Sequence, residues 1–271
     1  MSDHPHHAAW AHAVRDALPS AGLFAGQTWR IAPEPLALAS PLVRELQSLG
    51  RVLLQFYRAA NLLYRRSVEG RAPAWVAQVL DQGKPDSLIA LQRDPAFRND
   101  VPRVIRPDIL LTDDGFVISE LDSVPGGIGL TQWLNETYQH TITGPWGVIG
   151  GGNGMRDGFR SIFGAAPRVH LVVSEESAGY RPEMEWLAAR WPSGECAVRD
   201  AAFTEFAEGD AVYRFFELFD LPNVPASGRI FDLAREKRIQ VTPPPKPLFE
   251  EKLLMALLWN RNLQEFWRQE L

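Results

Sequence analysis

The sequence predicts a mixed α/β fold, and three observations carry that prediction. Apolar residues recur every three or four positions over residues 41–66, which is the period of an amphipathic helix. Two strand-like runs, 104–111 and 116–122, flank a turn of Thr, Asp, Asp and Gly, which is typical of an antiparallel hairpin. From residue 169 onward, short β-branched runs alternate with helical segments, which indicates a parallel sheet covered by helices.

Length and composition exclude several classes of protein. The chain has 271 residues, of which 45% are hydrophobic and 23% charged, so it can bury a core without cross-links. Its single cysteine, Cys196, excludes a disulfide framework and a cysteine-based zinc site. The net charge of −5 predicts no nucleic acid partner, because phosphate binding requires a basic surface. Without a long apolar run or a signal-peptide pattern, we expect a cytoplasmic protein that does not bind membranes.

The first hundred residues are predicted to form a helical scaffold. Ser40 is the predicted N-cap of the long helix, and Pro41 stands at its first helical position. A second helix is predicted over residues 74–82. The histidines near the N-terminus are more typical of a mobile terminus than of a transition-metal site: His4, His6, His7 and His12.

The last hundred residues are predicted to contain the parallel sheet. Strands are predicted over residues 169–173, 195–199, 211–215 and 238–242, and helices over 181–191, 224–237 and 248–269. The proline run at 243–247 is predicted to be a stiff connector into the last helix. The glycine run at 150–154 is predicted to be a flexible connector.

The hairpin carries the clearest chemical signal in the sequence. With a three-residue loop over 113–115, Asp108 faces Glu120 across the hairpin and Arg106 faces Asp122. Because side chains alternate along a strand, all four groups are then expected on one face. The opposite face is predicted to be a core surface made of Ile109, Leu111, Val117 and Leu121.

Three carboxylates on one face require a cation or several hydrogen-bond donors among them. Carboxylate oxygens are ligands that Mg²⁺ prefers, usually together with waters and substrate phosphates. Spacing alone favours a solvated polar face, in which Arg106 and Asp122 form a surface ion pair.

The full string is more specific than the spacing. Residues 106–115 read RPDILLTDDG and residues 120–127 read ELDSVPGG, which together resemble the signature of the ATP-grasp ligases. The resemblance implies that Asp108, Glu120 and Asp122 hold Mg²⁺ on the phosphates of ATP, and that Arg106 contacts the transferred phosphoryl group. The family usually has an asparagine at the position of Asp122, so this chain adds a negative charge there.

The order of the segments resembles the circularly permuted ATP-grasp proteins, including those similar to glutathionylspermidine synthase. The resemblance implies a helical scaffold over 1–100, a partial ATP-grasp region over 101–165, and a Rossmann-like pre-ATP-grasp domain over 166–271. It also implies that Lys252, in the stretch Glu-Lys-Leu-Leu, reaches the phosphates of ATP.

The resemblance implies part of an ATP-dependent ligase that joins a small-molecule carboxylate to an amine or a peptide through an acyl phosphate. The family's lid supplies paired lysines, whereas this chain has four lysines in all and none after Lys252. The alternative is therefore a lidless, non-catalytic binding or partner protein, with a homodimer among its forms. A third hypothesis is a glycoside hydrolase that uses Asp108 and Glu120 as a carboxylate pair.

Overall fold

The computed structural model describes residues 5–20, 29–141 and 147–271, and it confirms a mixed α/β fold. The described ranges contain a helical N-terminal part, a two-stranded antiparallel ribbon, and a four-stranded parallel sheet. Helices cover both faces of the parallel sheet, as the alternating pattern predicts.

Four helices precede the ribbon. They are α1 (Pro5–Asp16), α2 (Ser40–Val68), α3 (Ala74–Asp81) and α4 (Asp86–Arg93). The predictions of α2 and α3 are confirmed, whereas α4 was not predicted. The predicted cap is wrong, because α2 begins at Ser40 itself and the flanking residue Ala39 has no side-chain acceptor. Pro41 does lie in the first turn of α2, where its missing N–H leaves no donor unsatisfied.

The ribbon pairs strand β1 (Arg106–Thr112) with strand β2 (Gly115–Asp122). The predicted three-residue loop is wrong, because Thr112 pairs with Gly115 and only two residues form the turn. One extra residue in β2, Ser119, then makes a bulge opposite Asp108, whose carbonyl accepts a hydrogen bond from the Ser119 hydroxyl (3.2 Å). Because the bulge shifts the register by one residue, the predicted pairs Asp108–Glu120 and Arg106–Asp122 do form at the base of the ribbon.

The observed register at the ribbon tip pairs apolar residues with each other. Ile109 lies opposite Ile118, Leu110 opposite Val117, and Leu111 opposite Phe116. The three-residue loop would have placed Ile109 opposite Ser119, a weaker cross-strand pair. The predicted core surface is therefore wrong at the tip, where Leu111 and Val117 are exposed. Leu121, at the base of the ribbon, does pack against the core around α2.

Two helices connect the ribbon to the parallel sheet, and the sequence reading missed both. They are α5 (Ile128–Thr141) and α6 (Gly154–Ser161). The glycine run at 150–154 ends where α6 begins, so it leads directly into a helix rather than into an extended connector. Phe159 of α6 is buried against Tyr213 and Trp191, which anchors the helix on one face of the sheet.

The parallel sheet has the strand order β4-β3-β5-β6. Its elements are β3 (Val169–Val173), α7 (Arg181–Ala188), β4 (Cys196–Arg199), β5 (Ala211–Phe215), α8 (Ser227–Arg235) and β6 (Gln240–Thr242). These predictions are confirmed within a few residues at each end. The chain order reverses between the central strands β3 and β5, both of which are fully buried.

The predicted last helix over 248–269 is wrong as a single element. The chain instead forms a 3₁₀ turn (Pro247–Glu250), α9 (Leu253–Leu258), a second 3₁₀ turn (Arg261–Leu263) and α10 (Gln264–Glu270). The break after α9 is stabilised by Asn260, whose side chain accepts a hydrogen bond from the Asn262 N–H (2.9 Å). The break lets Trp267 of α10 stack on Phe56 of α2, with their ring centroids 5.7 Å apart.

The proline run is buried, and Lys246 within it joins three parts of the chain. The Lys246 ammonium donates hydrogen bonds to Asn61 Oδ1 (2.7 Å), the Arg98 carbonyl (3.2 Å) and the Asp100 carbonyl (3.0 Å). Only 1% of Lys246 is exposed, and this burial lowers the pKa of its ammonium to about 7. All three of its donors have acceptors, so the buried group is fully hydrogen-bonded.

Replacing Lys246 should therefore destabilise the whole fold. Lys246→Met leaves Asn61 Oδ1 and the Asp100 carbonyl without this donor, whereas the Arg98 carbonyl keeps a hydrogen bond from Asn61 Nδ2 (3.0 Å). We therefore expect the free energy of unfolding to fall by about 3 kcal/mol in urea titrations. Lys252→Met is the matched control, because the Lys252 side chain is 78% exposed. Equal losses in the two variants would contradict the role assigned to Lys246.

Candidate functional site

The five residues singled out by the sequence lie together at the base of the ribbon. Arg106 Nη2 is 3.0 Å from Asp122 Oδ2, and Arg106 Nε is 3.5 Å from Asp108 Oδ1. Lys252 lies just before α9, and its Nζ is 3.0 Å from Glu120 Oε1. Lys252 thus joins the ribbon from a distant point of the sequence.

These ion pairs are accessible to solvent and add little to stability. The exposed fractions of the side chains are 45% for Arg106, 50% for Asp108 and 78% for Lys252. Ion pairs at such positions contribute roughly 0–1 kcal/mol each, because water screens them. The fold therefore does not depend on this cluster, which leaves its groups available to a ligand.

Asp122 is the most enclosed carboxylate of the set. Its Oδ1 accepts a hydrogen bond from the Val124 N–H (2.8 Å), and its side chain is 23% exposed. Burial raises the pKa of Asp122, while the Val124 hydrogen bond and the charge of Arg106 act in the opposite direction. The charges of Glu120 and Glu250 raise this pKa further. The negative charge of Asp122 is therefore only partly compensated.

A second group of ionisable residues lies at the carboxyl end of β5, and the sequence reading missed it. Arg214 is completely buried and pairs with Glu250, with 2.5 Å between Arg214 Nη2 and Glu250 Oε1. Arg214 also donates hydrogen bonds to the carbonyls of Phe216 (2.5 Å), Pro243 (3.2 Å) and Pro244 (3.3 Å). Its guanidinium therefore joins the end of β5 to the proline run.

Glu217 follows β5 and makes a carboxyl pair with Glu250. Burial raises the pKa of Glu217 to about 8. The negative charge of Glu250, the hydrogen bond between the Glu217 and Glu250 side chains, and the charge of Asp122 raise this pKa as well. Arg214 lowers the same pKa but does not prevent the rise. Burial and the neighbouring carboxylates therefore favour the neutral form of the Glu217 carboxyl group.

The two groups form one acidic region. Burial raises the pKa of Glu217 and of the phenols Tyr57 and Tyr213, and the charge of Asp122 adds to the rise at all three groups. The Tyr213 hydroxyl donates a hydrogen bond to the Pro125 carbonyl (3.2 Å), which holds the end of the ribbon over β5. This region lies beside the reversal of strand order between β3 and β5, where ligands of open α/β sheets bind.

The position of Glu217 after a predicted parallel strand was the signal that could have found this second group. Glu175 and Glu176 hold the corresponding position after β3. Both of these side chains are exposed, in agreement with a solvated loop. The pairing with Glu250 and Arg214 has no local sequence signal, because it depends on how the proline run folds back.

The Pro-Gly-Gly stretch after the ribbon is a structural junction. Glu183 of α7 is buried, and its carboxylate accepts hydrogen bonds from the N–H groups of Gly127 (2.6 Å) and Leu130 (3.1 Å). This contact satisfies free donors at the N-terminus of α5. A side chain at Gly129 would meet the Glu183 carbonyl at 2.4 Å, so this close approach requires glycine.

The donor set fits magnesium in its chemistry. Among the described ranges, no three side chains of His, Cys, Asp or Glu converge closely enough to form a metal cluster. Mg²⁺ is usually held by one or two carboxylates together with waters and phosphates, and Asp108 and Glu120 are direct cross-strand partners. Of the four N-terminal histidines, His4 and the side chains of His6 and His7 lie outside the described residues.

The remaining lysines have other roles. Lys84 pairs with Glu251, Lys246 is buried in the proline run, and Lys237 lies 4.0 Å from Asp100. Lys252 is therefore the one lysine of the sequence that reaches the ribbon.

The comparisons with known proteins add no relative. No protein-family model matches the sequence, and the comparison with curated proteins finds no match. No helix within the described ranges is long and apolar enough to cross a membrane. Function is therefore argued from the motif and the geometry.

The carboxyl pair makes stability depend on pH in a defined way. Because the pKa of Glu217 is raised in the folded state, its stabilising contribution is complete below its usual pKa and is lost as pH rises through 8. Glu217→Gln keeps a donor for Glu250 and removes this titration. We expect equal melting temperatures at pH 5 and a variant more stable by about 3 °C at pH 9.

Glu175→Gln is the control for this pH profile, because Glu175 is exposed at the end of the neighbouring strand. Its profile should follow that of the unmodified protein. If Glu217→Gln also follows the unmodified protein from pH 5 to pH 9, the raised pKa of Glu217 is refuted.

Proposed function

We propose that this chain is the metal- and phosphate-binding part of an ATP-dependent carboxylate–amine ligase of the permuted ATP-grasp type. The observation that carries the proposal is the contact between Lys252 and Glu120 at 3.0 Å. It supports the proposal because the motif and the late lysine, far apart in sequence, are the two features that the family resemblance implies at one site.

The residues divide into two roles in this proposal. The resemblance assigns Mg²⁺ to Asp108, Glu120 and Asp122. Of these, the cross-strand partners Asp108 and Glu120 would hold the ion together with waters and phosphate oxygens, and the ion would neutralise charge on the ATP phosphates. Arg106 and Lys252 now pair with those carboxylates, and both would contact phosphate oxygens of the nucleotide. The planar fork of an arginine suits the transferred phosphoryl group, whereas an exposed lysine acts as a mobile point charge.

The substrates in this proposal are a small-molecule carboxylate and an amine or peptide. The carboxylate takes the phosphoryl group to give an acyl phosphate, and the amine displaces phosphate to form the amide. The acidic region beside the end of β5 lies next to the ribbon base, which supports a reaction at the junction of the ribbon and the parallel sheet.

A second candidate function is a lidless, non-catalytic binding or partner protein, alone or as a homodimer. Its support is the small size of the ribbon, which in the described residues is a two-stranded sheet with exposed apolar side chains on Leu110, Leu111 and Val117. Such a ribbon is marginally stable by itself, and large exposed apolar side chains favour contact with a partner.

Titration with ATP separates the two candidates. We expect ATP with Mg²⁺ to raise the melting temperature by several degrees, because a ligand that binds the folded state stabilises it. ATP with EDTA should give no rise. Asp108→Ala should abolish the rise, whereas Asp113→Ala, an exposed aspartate in the turn of the same ribbon, should retain it.

Lys252→Ala tests the phosphate contact separately. Loss of one charge-assisted contact should weaken the apparent affinity for Mg-ATP by about tenfold, with an unchanged requirement for Mg²⁺. If the unmodified protein shows no shift at millimolar ATP, the ligase proposal fails for this chain and the non-catalytic candidate stands. An unchanged shift in Asp108→Ala would place ATP at some other site.

A further inference from the structure

A cavity of about 1160 Å³ lies away from the candidate site and has no role in the proposed function. It is bordered by α2 on one side, by α6 on another, and by the residues that lead into β5 and β6. It therefore opens at the amino edge of the parallel sheet, whereas the acidic region lies at the carboxyl edge. The cavity is not lined by any of the five residues of the candidate site, which are Arg106, Asp108, Glu120, Asp122 and Lys252.

Apolar side chains form one part of the cavity wall, and polar or charged side chains form the rest. Leu53 and Leu54 line it from α2, Ile105 from the segment before β1, and Met155 and Phe159 from α6. Pockets of this size with apolar walls bind the bodies of organic ligands, and a few polar groups fix their orientation. A bare inorganic ion would leave these walls in contact with water.

The charged groups around the cavity are mostly basic. Arg58 of α2 and Arg103 line it and are exposed, and neither makes an ion pair within the described part of the chain. The Arg103 guanidinium donates a hydrogen bond to the Ile162 carbonyl (2.8 Å). Within the described residues, two arginines beside this cavity thus carry charge that no carboxylate compensates.

The other charged lining groups each have a partner of opposite charge. Lys237 lies 4.0 Å from Asp100, which is the carboxylate among the lining residues. Arg238 pairs with Glu208 (3.1 Å) and with Glu236 (3.5 Å). The uncompensated charge is therefore that of Arg58 and Arg103, and it is positive.

We propose that this cavity binds an amphipathic anion. The apolar body lies between α2 and α6, and a carboxylate or phosphate head accepts hydrogen bonds from Arg58 and Arg103. Guanidinium groups recognise both kinds of head through paired N–H donors. The combination of an apolar body and a single anionic head explains both the walls and the charges, and it is independent of the proposed ATP site.

Isothermal titration calorimetry with four probes tests the proposal on the full chain. The probes are octanoate, octyl phosphate, uncharged octanol and inorganic phosphate. We expect at least one octyl anion to bind, octanol to bind about tenfold more weakly, and inorganic phosphate to give no measurable binding. Whichever octyl anion binds more tightly identifies the head group, and either result supports the proposal.

Variants assign the binding to this cavity. Arg58→Gln and Arg103→Gln should each weaken the octyl anion by about tenfold without changing octanol. Gly158→Phe should block the apolar body, because Gly158 lines the cavity and a Cβ there meets no atom within 4 Å. Arg51→Gln is the matched control, since Arg51 is exposed on α2 and does not line the cavity.

Three results would overturn the proposal. They are no binding of either octyl anion at about 2 mM, octanol binding as tightly as the anions, and unchanged binding in the Arg58→Gln/Arg103→Gln double variant. Melting temperatures of all variants show which of them are folded. If Gly158→Phe does not fold, the two exposed arginines still decide the question.

Discussion

The buried pair of Arg214 and Glu250 is the interaction on which the candidate site depends. Arg214 is at the end of β5 and binds two carbonyls of the proline run as well as Glu250. Glu250 also accepts a hydrogen bond from the Leu218 N–H (2.9 Å), so its position relative to the sheet is defined. Lys252 is two residues after Glu250. The position of Glu250 therefore places the Lys252 side chain within contact distance of Glu120. The buried Arg214–Glu250 ion pair thereby positions the exposed Lys252–Glu120 ion pair.

The same segment joins the separate cores of the protein. Lys246 bonds to α2 and to the residues before the ribbon, while Phe249 packs against Tyr57 with ring centroids 5.1 Å apart. The Ser123 hydroxyl donates a hydrogen bond to the Phe249 carbonyl (3.0 Å), which ties the end of β2 to this segment. A short stretch rich in proline is suited to this task, because it needs few backbone donors and loses little conformational freedom on folding.

Local patterns in the sequence predicted most elements and the shared face of the ribbon acids, because periodicity and strand alternation are local properties. They did not predict the two-residue turn, since its register is set by apolar pairs at the tip and corrected by a bulge at Ser119. They also treated residues 248–269 as one helix, although side-chain hydrogen bonding at Asn260 and packing on α2 divide this segment. Glu217 and Glu250 were missed because only the tertiary fold makes them neighbours.

The bulge also has a consequence for the behaviour of the chain in solution. A two-stranded ribbon presents two outer edges whose backbone groups can pair with the strands of other molecules. In β1 this edge is interrupted by Pro107, which has no N–H, and in β2 by the bulge at Ser119. The charged turn at Asp113 and Asp114 further opposes the stacking of ribbons. The features that align the acids thus also protect the ribbon from edge-to-edge aggregation.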